Sequence, residues 1–114
     1  MAEDTIFDKI LKKEIPCDTV YEDEAVLAFK DINPQAPVHI VAIPKKKVSG
    51  FDAISDLPAD FTGRYMNGIR AAARQAGLTN GYRVVFNMGK DGQQTVDYLH
   101  AHILGGRELG WPPG

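Results

Sequence analysis

"TVDYLHAHILGG", Thr95 to Gly106, is the stretch on which the fold of this chain turns. Successive side chains of a strand point to opposite faces. Leu99, Ala101 and Ile103 therefore share one face, which is apolar and suited to cover by a helix. Val96, Tyr98, His100 and His102 share the other, and Asp97 points away from them. The chain has three histidines in all, and this face carries two of them, about 7 Å apart, close enough for one small ligand to touch both. Gly105 and Gly106 end the strand.

Working outward, "GYRVVFN" alternates Tyr82, Val84 and Phe86 against Arg83 and Asn87 and predicts the preceding strand. "NMGKDG" turns the chain between the two. Further back, "VHIVAIP" is a well-buried strand ended by Pro44, and "NPQAP" breaks the chain before it. "TVYED" and "AVLAFKDI" make two short strands around the polar turn "EDEA". Phe61, Tyr65, Ile69, Ala72 and Ala76 recur at helical spacing, with Pro58 at the start and Gly77 suited to the C-terminal cap. Gly63 and Gly68 weaken this helix by propensity and mark a close approach to another element. A first helix runs from an Asp4 cap to about Lys13, with Ile6, Phe7, Ile10 and Leu11 as its apolar stripe, and Pro16 prevents its continuation. The expected architecture is α+β: one domain over residues 1–114, with a five-stranded antiparallel sheet and two helices.

Bulk properties narrow the function. The 114 residues are 44% hydrophobic and 25% charged, ordinary for a globular domain. A net charge of −2 argues against a protein that grips a nucleic-acid backbone broadly. No apolar run has the length of a membrane helix, and the amphipathic N-terminus does not read as a secretory signal. The single cysteine, Cys17, excludes an internal disulfide framework and fits a reducing compartment, so the expected location is cytoplasmic.

Three chemistries compete for the histidines. They could be half-exposed strand residues with satisfied hydrogen bonds. With His39 of "VHIVAIP" they could supply three ligands to zinc, although no cysteine cluster or carboxylate at ligand spacing accompanies them. Or one could be a nucleophile: imidazole is largely neutral at pH 7, attacks phosphorus directly, and gives an intermediate reactive toward water. The second histidine then binds phosphoryl oxygens or assists proton transfer. This route needs no metal or other cofactor.

"GQQTVDYLHAHILGGRELGWPPG" resembles the signature of the histidine triad superfamily, His-x-His-x-His followed by apolar residues. "DTIFDKILKKEIP", "LAFKDINPQAPVHIVAIPKK" and "GYRVVFNMGKDG" are similar to its Hint branch, the nucleoside phosphoramidases. The resemblance runs from about Asp4 to Gly114.

It implies His100 as the nucleophile that takes the nucleotidyl group, His102 against the phosphate, and His39 beside the pair. Tyr98 departs from the pattern, which has histidine at the first triad position. That position's backbone carbonyl orients the nucleophilic imidazole in related members, and a carbonyl survives the change of side chain; activity is expected to persist with altered rate or leaving-group preference. Gln93, Gln94 and Thr95 match a loop at the phosphate and leaving group, with Thr95 or His102 as proton donor. Gln93 stands where glycine is more usual, and glycine reaches backbone dihedrals that glutamine avoids. Asn87 matches a phosphate-side position and Asp31 the carboxylate that accepts ribose hydroxyls. Ile6, Phe7, Ile10, Ile15, Phe29, Ile32 and Val41 match the base-facing wall, and Val96 and Tyr98 complete the nucleotide site. The implied molecule is a homodimer whose sheet continues across the interface, joined through the long helix and "GYRVVFN". Its tail, 105–114, carries Trp111 to the partner's site. The implied reaction is cleavage of the P–N bond of purine nucleoside 5′-phosphoramidates through a nucleotidyl-histidine, without metal, cofactor, nucleic acid or membrane. The alternatives are a purine nucleotide-binding signalling module that turns over weakly, and a zinc-binding regulatory protein.

Overall fold

The computed structural model describes residues 3–114. The element order is α1 (Ile6–Leu11), β1 (Thr19–Glu22), β2 (Val26–Lys30), β3 (Val38–Pro44), a 3-10 turn (Phe51–Asp56), α2 (Ala59–Gln75), β4 (Tyr82–Val85) and β5 (Ala101–Gly105). The strands form one sheet in the order β1-β2-β3-β5-β4, every neighbouring pair antiparallel. The α+β architecture is as expected, with the 3-10 turn as an added short helix.

Alternation along the strands builds two cores. On one face, Ala28, Ile40, Ala42, Ala101 and Ile103 meet Phe61, Tyr65, Ile69 and Ala72 of α2. On the other, Leu27, Phe29, Val41, Ile43 and Tyr98 meet Phe7 and Ile10 of α1. Helix α2 ends at Gln75, with Ala76 as its C-cap, and passes into Gly77 at φ 78°, a left-handed conformation glycine adopts freely. Gly68 lies against β2: a Cβ there would stand 2.3 Å from Val26 Cγ1, so the helix reaches this depth only without a side chain. Gly63 is different; a Cβ there would meet nothing within 4 Å. Of the two glycines, only Gly68 marks a close approach within the chain, and that approach is to its own sheet.

Two expectations need correction. The first helix is capped by Thr5, not Asp4. Thr5 Oγ1 accepts from the Asp8 N–H while the Asp8 carboxylate accepts from the Thr5 N–H, a reciprocal capping box, and the helix ends at Leu11. Thr5 has the carboxylate three residues downstream that the box requires. The last strand, read as starting at Thr95, begins only at Ala101. Its pairing with β3 stops at Ala42↔Ala101 and with β4 at Val85↔His102. Beyond Ala42, β3 pairs with β2 alone as far as Pro44, which has no N–H to offer a second neighbour. The backbone of the segment before Ala101 is held instead by Leu99 N–H donating to the Val48 carbonyl at 2.8 Å and Tyr98 N–H to Val96 O at 2.9 Å.

Candidate active site

The early end of β5 shapes the histidine cluster. His102 is inside the ladder, opposite Val41, whereas His100 lies just outside it. The His100 and His102 rings come to 5.0 Å between centroids, nearer than a regular strand would hold them. His39, from β3, completes the group at 5.1 Å from His102. His100 is only 5% exposed and His39 7%. The edge of Phe7, presented by α1, packs on the His100 ring at 4.9 Å.

The hydrogen bonds fix each ring's proton. His100 Nδ1 stands 2.7 Å from the Tyr98 carbonyl oxygen, which can only accept; Nδ1 therefore carries the hydrogen and the neutral ring keeps its lone pair on Nε2. His39 Nδ1 accepts from the Gln35 N–H at 3.0 Å, so its hydrogen is on Nε2. That Nε2–H donates to His102 Nδ1 at 2.8 Å, leaving His102 with its N–H on Nε2. One ring presents a lone pair and its neighbour a donor.

All three rings favour neutrality. Burial lowers the His100 pKa, with the Tyr98 carbonyl and the Asp31 carboxylate opposing it in part. Burial lowers that of His39 too, against the pull of Asp31. His102 is pushed down to about 4, by burial first and then by repulsion from His100 and His39, against Asp31. An imidazole that stays neutral keeps a usable lone pair.

Asp31 Oδ2 lies 3.4 Å from His39 Nε2, and its Oδ1 accepts from the Asn33 N–H at 2.8 Å. Asp31, His39 and His102 offer ligand atoms within 4.8 Å of one another. Asp31 thus adds the carboxylate that sequence spacing did not show, and a cation held there would have to displace the hydrogen between His39 Nε2 and His102 Nδ1, which stand 2.8 Å apart.

The apolar residues fall into three groups. Phe7, Ile10, Phe29, Val41 and Tyr98 are buried in the core beneath α1, and Ile15 and Val96 pack against it. Ile6 is on the same helix but exposed. Ile32 is 97% exposed and joins neither core.

The loop residues do work that sequence did not indicate. The Gln94 side-chain amide donates to Ser49 O (2.7 Å) and Val96 O (3.0 Å), and its oxygen accepts from the Gly89 N–H. Asn87 Nδ2 donates to Gly92 O at 2.7 Å. The backbone N–H groups of Gln93 and Gln94 donate to Lys90 O and Gly89 O. These donors brace the loop itself. Thr95 is exposed and lines a cavity of about 470 Å³ with Thr5, Ile6, Lys47, Val96 and Asp97. Gln93 has φ 61°, the left-handed conformation for which glycine is the natural residue. Trp111, 81% exposed, stands over Arg83, whose guanidinium also donates to Gly110 O at 2.8 Å. Two contributors had no signal in the sequence: the Gln35 N–H and the Pro44 carbonyl, which accepts from the Tyr98 hydroxyl at 2.6 Å.

Residues 12–109 match the HIT domain family. A 14 kDa zinc-binding protein of Zea mays is 53% identical over 96% of this chain and 88% of its own. The adenylylsulfatase HINT1 of Arabidopsis thaliana is 47% identical over 96% of this chain and 76% of its own. Among solved structures, a HIT family hydrolase from Legionella pneumophila superposes with a TM-score of 0.90 at 41% identity, covering 97% of this chain and all of that one. Sequence and fold agree: this chain belongs to the HIT family, with a Hint-like relationship to its plant members.

Proposed function

We propose that the chain is a nucleotide hydrolase cleaving the P–N bond of purine nucleoside 5′-phosphoramidates, with His100 as nucleophile. The observation that carries this reading is the His100 tautomer, with Nδ1–H bonded to the Tyr98 carbonyl and the Nε2 lone pair free. Nε2 attacks the α-phosphorus, the P–N bond breaks, and the amine leaves with a proton from Thr95 or His102. Water then attacks the phospho-imidazole, the P–Nε2 bond breaks and one water proton returns to the group that protonated the amine, releasing nucleoside monophosphate and restoring His100. The His102 Nε2–H donates to a non-bridging phosphoryl oxygen as charge develops there. Asp31 serves the ribose hydroxyls, and the apolar wall of Phe7, Ile10, Ile15, Phe29 and Val41 takes the base. The names of the Legionella hydrolase and the Arabidopsis adenylylsulfatase accord with a hydrolase that acts on an adenylyl group. No helix among the described residues is long and apolar enough to cross a membrane.

Dimerisation belongs to the same proposal. Tyr82 and Val84 on the edge strand β4 and Met66 on α2 are exposed apolar residues, a surface a second copy would cover. Trp111 of the tail would then approach the partner's site.

A quenched reaction with adenosine 5′-phosphoramidate in chelator, following AMP release and adenylylation of intact protein, tests the reading. AMP release that disappears in His100→Ala is expected. Nucleotide that binds without turnover would replace the hydrolase with a binding module. Activity lost in chelator and restored by zinc would support the metal reading that the Zea mays relative's name raises.

A further inference from the structure

Tyr98 occupies the first position of the triad pattern, and its surroundings give it a job that histidine would do differently. Its ring is 1% exposed, packed with Phe7, Leu27, Phe29, Val41 and Ile43. Packing of that kind accepts phenylalanine equally well. The hydroxyl adds a directional bond, donating to the Pro44 carbonyl at 2.6 Å. A buried hydroxyl without that bond would be costly.

The tether matters because of where Tyr98 lies in the chain. Strand β5 begins three residues later, so no ladder holds this segment. The Tyr98–Leu99 peptide is a single rigid plane. Its N–H, on Leu99, donates to Val48 O at 2.8 Å, and its carbonyl, on Tyr98, accepts from His100 Nδ1 at 2.7 Å. The Tyr98 side chain pins the Cα at which this plane begins. With that end free, the plane can rotate and turn its oxygen away from His100.

Resting on the reading of His100 as nucleophile, we infer that the Tyr98 hydroxyl is a positioning group: its tether to Pro44 aims the Tyr98 carbonyl at His100 Nδ1 and keeps the reactive lone pair on Nε2. Tyr98 touches no reacting atom. It acts through its own backbone.

The molecule contains a matched control. Tyr65, on α2, is equally buried and donates to a carbonyl of the same strand, Ala42 O at 2.7 Å, but on the opposite face of the sheet. Tyr98→Phe and Tyr65→Phe each delete one hydroxyl and one buried bond to β3. If Tyr98 only stabilises the fold, the two variants behave alike.

The experiment is nitrogen-15 NMR of the histidine rings at pH 7.5 in wild type and both variants, paired with AMP release from adenosine 5′-phosphoramidate. Wild type and Tyr65→Phe should show His100 protonated at Nδ1. Tyr98→Phe should show a mixed population with Nε2–H, a kcat lower by about five- to tenfold, the factor one hydrogen bond supplies, and a KM within about twofold. Both variants should lose similar thermal stability. An unchanged His100 tautomer in Tyr98→Phe, or the same shift in Tyr65→Phe, overturns the inference. If wild type releases no AMP, the proposed hydrolase fails, and the ring tautomers still decide the role of Tyr98.

Discussion

Acidification from pH 6.5 to 4.5 should destabilise this fold, and the histidine cluster should account for most of the loss. The His102 pKa is held at about 4 in the fold against 6.5 for a free imidazole. Between those values the unfolded chain binds a proton that the folded ring refuses, so stability falls as pH falls. The stability is fully present above about pH 6.5 and is lost progressively down to the folded value. A fully sheltered ring with this separation would contribute about 3.4 kcal/mol. His102 is half-buried, and solvent screening reduces this to about 2 kcal/mol. His39 and His100 are lowered as well and act in the same direction. The carboxylates with lowered values, Asp8 and Asp23, begin from 3.8 and lose their stabilising effect only below that, so pH 4.5 isolates the histidines. Urea denaturation at half-unit steps from pH 7 to 4.5 measures the effect. His102→Gln, which keeps an acceptor for His39 but cannot titrate, should flatten the dependence by at least half. A wild-type stability that is level to about 0.5 kcal/mol between pH 6.5 and 4.5 would refute the reasoning. So would an undiminished slope in His102→Gln.

Gly68→Ala drives a methyl into Val26 and should cost about 1 to 3 kcal/mol in the same denaturation assay. Gly63→Ala meets open space and should gain about 0.5 to 1 kcal/mol by helix propensity; a loss instead would report a second copy packed against that position. Gln93→Gly relieves a left-handed residue and should raise stability by about 0.5 kcal/mol, visible as a small rise in Tm, because the relief of about 1 kcal/mol exceeds glycine's entropic cost. Asp31→Asn keeps an acceptor for the Asn33 N–H while removing the charge, so on the proposed ribose role KM for the phosphoramidate should rise several-fold with kcat nearly unchanged.

Much of the fold is written locally. "VHIVAIP" is an uninterrupted apolar run stopped by proline, and the strand spans those seven residues, Val38–Pro44. The spacing of Phe61, Tyr65, Ile69 and Ala72 gave α2 its buried stripe, and Gly77 its end. The alternation of Leu99, Ala101 and Ile103 identified the face that α2 covers, even though half of that segment makes no ladder. Periodicity reports which side a residue faces. It does not report whether a neighbouring strand is still there to pair with.

The sequence by itself determined the residue types, the two faces of each strand and the histidines that share one of them, because these follow from side-chain periods of two and 3.6 residues. Only the tertiary structure decided that β5 stops paired at Ala101 and that the Tyr98 carbonyl is free to meet His100. It alone brought the Gln35 N–H to His39, turned Gln94 and Asn87 inward as loop braces, and left Ile32 in solvent. Each of these depends on partners from separate turns and strands, and a single hydrogen bond's direction then selects which nitrogen of a ring holds the proton. That choice sets a histidine's chemistry, and it is made by geometry that no stretch of sequence contains.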